Sequence, residues 1–91
     1  MIIMAVFRSR PQCLDYAERL KKYGVHAELA AAPKEARIGC GLCVKFEERQ
    51  FVRAKAVLTT AKYSAFKGFY KTDFSFGYAR VIPYYGKRGG F

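Results

Sequence analysis

The 91-residue chain has no tryptophan, one histidine, three cysteines and only seven acidic residues. The missing tryptophan carries no functional message, but each of the other scarcities removes a class of chemistry. The acids are dispersed, and Glu47 and Glu48, adjacent in sequence, point to different sides if they lie in a strand, which argues against a paired-carboxylate hydrolase. His26 alone builds no histidine-centred nucleophile and reads as a solvent or structural hydrogen-bonding residue. Phosphate-loop, dinucleotide and zincin patterns are all missing. A structural zinc or iron–sulfur site ordinarily takes four protein ligands, and Cys13, Cys40, Cys43 and His26 would have to converge from separate elements, so no metal is expected.

Long apolar runs are also lacking, and the opening "MIIMAVFRSR" carries no positive charge ahead of its short apolar stretch. Neither a transmembrane segment nor a signal peptide is expected, and with an odd number of cysteines the expected setting is a reducing cytoplasm.

Positive charge and aromatic rings are plentiful. Seventeen Lys/Arg against seven Asp/Glu give a formal charge of +10, which favours an anionic partner. Apolar residues make up 52% and aromatics 16%, the composition of a folded domain rather than of a disordered basic tail. The length suits one modest core.

The residues "IIMAVFR" favour a buried first strand. Ser9 is placed to cap a helix running from Pro11 to Tyr23, with Leu14, Ala17 and Leu20 on one face, Cys13 and Tyr16 flanking it, and Gly24 ending it. Val25 to Pro33 reads as a second strand. In "LCVKFEE", Leu42, Val44 and Phe46 can face the core while Cys43, Lys45 and Glu47 face away. Phe51, Ala54, Leu58 and Ala61, with Val57 nearby, define a second amphipathic helix whose other side is basic. Either "FKGFYK" or "FSFGYARVI" can supply a fourth strand.

The expected fold is therefore an α+β, ferredoxin-like two-layer sandwich, βαββαβ, over residues 1–72. The aromatic, basic extension over 73–91 is expected to form an extra hairpin and to pack on the same domain or on a dimer mate. A homodimer is attractive because the chain is short and its aromatic end can cover an exposed sheet edge.

Two sulfur atoms draw attention in "ARIGCGLCVKF". The Cys40–Cys43 spacing is that of thiol–disulfide exchange sites, but β-type alternation follows where a redox helix would normally begin. Cys43 reads as a strand residue with a lesser role as a resolving thiol, and Cys13 as a small packing residue. Cys40 stands between Gly39 and Gly41 after a basic turn containing Lys34 and Arg37, a setting that favours its thiolate.

Over residues 3 to 62 the chain resembles the small bacterial selenium/sulfur carrier protein-like family. The features that carry the resemblance are the first strand ending near Phe7 to Ser9, the A-x-x-x-E-x-x-L-like helix, and Gly24 before the second strand. Pro33 with its basic neighbour Lys34 and the acid Glu35, and the pair Cys40–Gly41 ahead of an apolar strand, complete it. Arg37, Ile38 and Gly39 stand where the family often has small hydroxylated residues. The resemblance implies a carrier that holds no tightly bound cofactor. Its Cys40 thiolate would accept sulfur or selenium from a donor protein, carry it transiently as a persulfide or selenium cargo, and pass it to an acceptor protein.

The alternative reading is an RNA or single-stranded DNA-binding accessory protein. Its phosphate contacts would come from Lys67, Lys71 and Arg80, with stacking on Phe69 and Tyr70. A structural or regulatory protein-interaction module, with the aromatics sealing the last strands, is the third.

Overall fold

The computed structural model describes residues 1–34, 41–74, 77 and 79–84. Along the chain run β1 (Ile2–Phe7), α1 (Arg10–Lys22), β2 (Glu28–Ala31), β3 (Leu42–Glu47), α2 (Phe51–Ala61), β4 (Phe66–Asp73) and β5 (Arg80–Pro83), with a short 3-10 turn, Glu48–Gln50, leading into α2. The strands form one five-stranded sheet in the order β2-β3-β1-β4-β5, every described neighbour antiparallel. This is the ferredoxin-like α+β sandwich with one strand added beside β4. The segment FKGFYK lies within β4 and the last three residues of FSFGYARVI open β5, and the two strands pair antiparallel.

Local chemistry fixes α1. The Ser9 hydroxyl accepts the Gln12 N–H at 3.3 Å, and Pro11 sits in the first turn, where its missing N–H leaves no helical bond unmade. At the other end Gly24 adopts φ +80, which lets its own N–H reach the Lys21 carbonyl at 3.1 Å and the Val25 N–H reach Leu20 at 2.9 Å. That Schellman closure commits Val25 to the helix end and buries it. The second strand accordingly begins at Glu28 rather than at Val25.

The helix is rotated from the expected phase. Cys13, Tyr16 and Leu20 are its buried residues, while Leu14 is 47% exposed. The aromatic ring of Tyr16, larger than the Leu14 side chain, takes the interior position against Phe7 (ring centres 5.4 Å apart), and its hydroxyl donates to the Ala54 carbonyl at 2.7 Å. On α2 the buried residues are Phe51, Ala54 and Val57, with Leu58 packed at the margin.

Strand alternation divides the apolar residues between two faces. Ile3, Ala5, Phe7, Val44, Phe46 and Phe69 meet the helices in the main core. Met4, Val6 and Cys43 form a smaller cluster on the other face, with Ala30, Tyr70 and Val81 at its edges. The main core is strongly aromatic. Phe51 lies edge-on to both Phe69 and Tyr84, with ring centres 4.9 Å and 4.8 Å away. Such geometry adds roughly 0.5–1.5 kcal/mol per pair beyond area burial.

The β1–β4 pairing shifts register between Val6 and Phe7, and Gly68, at φ +141, supplies the backbone conformation there. At the end of β5 the Tyr84 N–H donates to the Phe69 carbonyl at 2.9 Å and its hydroxyl donates to Glu48 at 2.8 Å. The last described strand is thereby fastened to the turn that precedes α2.

Candidate functional site

The site expected from the sequence is the connection between β2 and β3. Its two described ends are held together, because the Ala32 N–H donates to the Gly41 carbonyl at 3.1 Å. Lys34 is exposed at one end, and Gly41 is half-buried at the other, directly before β3. Cys40, Arg37 and Gly39 lie outside the described residues.

The other two thiols are enclosed. Cys13 is fully buried under α1, and burial, with a smaller push from Cys43, raises its pKa from 9.0 to about 11. Cys43 is also fully buried, on the sheet face away from the helices, and donates to the Ala31 carbonyl at 3.5 Å. Burial raises its pKa as well, and the Lys45 charge only partly opposes this. A thiol held protonated in apolar surroundings is a poor nucleophile, because the thiolate is the reacting form. Neither sulfur has the setting of an attacking group.

The five residues expected to touch nucleic acid do not share a surface. Phe69 is 3% exposed and surrounded by Phe46, Phe51 and Phe66, so it is a core residue and offers no face to a base. Lys71 lies on the same side, its ammonium 5.8 Å from the centre of the Tyr84 ring. Tyr70 points to the opposite face, beside Met4 and Val6. Lys67 is exposed at the register shift, and Arg80 pairs with Asp73 at 3.3 Å. The cause is the two-residue period of a strand, which sends consecutive side chains to opposite faces.

A groove of about 760 Å³, which sequence reasoning did not anticipate, opens at the far end of the sheet. Ile2, Met4, His26, Lys45, Lys71 and Phe74 help to line it. The pairings Ile2 with Glu47 and Phe7 with Leu42 put this groove at the opposite end of the strands from Gly41. Its mixed charges and dispersed sequence positions left no motif to find. Among the described residues no three His, Cys, Asp or Glu side chains cluster as metal ligands, and no helix is long and apolar enough to cross a membrane.

A polar cluster around Asp15 and Gln12 is structural. Asp15 accepts hydrogen bonds from the Tyr63 hydroxyl at 2.5 Å and from Arg19 Nε at 2.8 Å, and the two together hold its carboxyl below the ordinary value. Gln12 reaches Ser64 and accepts from the Ala65 N–H, so α1 is tied to the turn between α2 and β4.

No curated protein and no solved structure matches the chain. Residues 3–71 match the family described as "Putative Se/S carrier protein-like", which takes in β1 through most of β4 and the whole β2–β3 connection with its Cys40–Gly41 pair. That span covers well over half of the sequence, and the chain belongs to the Se/S carrier protein-like family.

Proposed function

We propose that the protein is an accessory carrier that presents the Cys40 thiolate to sulfur or selenium donor and acceptor proteins, without independent catalytic activity. The observation that carries this reading is the enclosure of Cys13 and Cys43, with raised pKa values, in a chain of a carrier-like family. Position 40 is then the sulfur left for exchange, between the clasped ends of the β2–β3 connection.

In the loading step the Cys40 thiolate attacks the terminal sulfur of a donor persulfide. A new sulfur–sulfur bond forms at Cys40, the donor's own sulfur–sulfur bond breaks, and the donor cysteine leaves as a thiolate. Delivery is the same exchange run towards an acceptor thiolate, which regenerates Cys40. A terminal selenium transfers by the equivalent step. Lys34 and Arg37 supply positive charge that favours the thiolate. Gly39 and Gly41 leave room for a reacting partner, since neither has a side chain. Cys43 acts in this scheme as a packing residue that positions β3.

Intact-mass measurement after incubation with a persulfide donor tests the reading. The wild type and Cys13→Ser should gain one sulfane sulfur, and Cys40→Ser should gain none. An adduct that survives Cys40→Ser, or a wild type that stays unloaded while a control carrier loads with the same donor, overturns it.

A further inference from the structure

The two edges of the sheet are built differently. At the β5 edge, the Tyr84 N–H bond to Phe69 sets the alternation, so that Ile82 and Arg80 address β4 while Val81 and Pro83 turn their backbone groups outward. Pro83 has no N–H to offer there, which discourages an added strand.

The β2 edge has no such protection. The Ala32 N–H bond to Gly41 sets its alternation: Ala30 and Glu28 address β3, and Leu29 and Ala31 turn their N–H and carbonyl groups outward. Neither outward residue is proline or charged, and no described residue pairs with either outward N–H. Small side chains at Ala30, Ala31 and Ala32 leave the backbone open to approach.

An apolar strip accompanies this edge. On α1, Gln12 and Asp15 turn towards the α2–β4 connection, where they meet Ser64 and Tyr63. With about 3.6 residues per turn, Leu14, Ala17 and Lys21 therefore occupy the opposite flank, on the β2 side. Leu14 and Leu29 are each 47% exposed, which accounts for the helix position that does not enter the core.

We propose that β2 pairs antiparallel with β2 of a second copy of the chain across a two-fold axis, joining two five-stranded sheets into one. With Leu29 opposite Ala31 of the second copy, the outward groups of each residue are answered by the other, as an isologous contact requires. Ala30 faces its own symmetry mate. Glu28 falls opposite Ala32, so no like charges are apposed along the strands. On the α1 flank the exposed Arg10 and Lys21 stand at either end of Leu14 and Ala17, so a second helix there meets apolar surface at the centre and like charge at the ends. The self-complementary hydrogen-bond register, with the same exposed Leu14–Leu29 strip brought up from each side, favours a second copy over an unrelated strand. The proposal does not depend on the carrier reading.

Sedimentation velocity or light scattering, from micromolar to millimolar concentration, tests it on the full chain. Mass should rise from 10.4 kDa towards twice that value, and the association should tighten with added salt, because each copy carries a charge of +10. Ala31→Pro removes an outward N–H without touching the bonds to β3, and Leu29→Lys puts a charge on the apolar strip. Each should weaken dimerisation roughly tenfold or more. Circular dichroism and melting serve as the check on folding, and where Ala31→Pro does not fold, Leu29→Lys decides. A wild type that remains monomeric throughout, or folded variants that dimerise as well as the wild type, overturns the proposal.

Discussion

The Tyr16 hydroxyl donates to the backbone carbonyl of Ala54 across 2.7 Å, a buried bond that joins α1 to α2 and sets the rotation of the first helix. Tyr16→Phe keeps the ring contacts with Phe7 and Tyr63 and removes only the hydroxyl. The expected loss is about 1 kcal/mol, seen as a fall in melting temperature of about 4–8 °C. Tyr16→Ala also leaves a cavity and should cost about 3–5 kcal/mol in urea unfolding. Equal losses for the two variants would show that the hydroxyl, rather than the ring, holds the helix in place.

Alkaline pH should destabilise the fold through its tyrosines. Burial, reinforced by hydrogen bonds to Asp15 and Glu48 respectively, raises the Tyr63 and Tyr84 pKa values from 10.0 to about 12. Below pH 10 both residues are protonated folded or unfolded, and their contribution is complete. As pH rises from about 10 through 12, the unfolded chain releases these protons first and stability falls. Burial shifts Tyr16 in the same direction. Tyr63→Phe should make the decline shallower over that window in chemical unfolding measured at a series of pH values. A slope identical to the wild type would remove Tyr63 from the account.

The enclosed thiols give a third prediction. In Cys40→Ser, the remaining Cys13 and Cys43 should react with iodoacetamide far more slowly in the native protein than in denaturant, and both should label once unfolded. Because the Cys13 pKa stands at about 11, its native labelling should stay slow at pH 9, where an ordinary thiol is substantially ionised. Mass spectrometry of the labelled peptides reads both sites. Fast native labelling of Cys43 would contradict its enclosure.

The order of elements was legible because it rests on short-range signals: the Ser9 cap, Pro11, the Gly24 closure and the alternation of Leu42, Val44 and Phe46 all act within a few residues. The phase of α1 was not. Leu14, Ala17 and Leu20 make as good an apolar stripe in sequence as Cys13, Tyr16 and Leu20, and only Phe7 and the Ala54 carbonyl, distant in the chain, choose between them. The second strand is shorter than its apolar residues suggest because Val25 is taken by the helix closure. Composition alone makes Phe69, Tyr70 and Lys71 look like one surface, whereas strand alternation sends Tyr70 to the face opposite Phe69 and Lys71. The groove near His26 and Lys45 depends on strand ends that meet only in three dimensions.

The bond from Ala32 to Gly41 gives the molecule a natural seam. With both stems already pinned to the sheet, replacing everything between them by a hairpin of another length or charge should leave the register of β2 and β3 unaltered. Exchange of sequence at that seam would change the connection without asking the rest of the chain to refold around it.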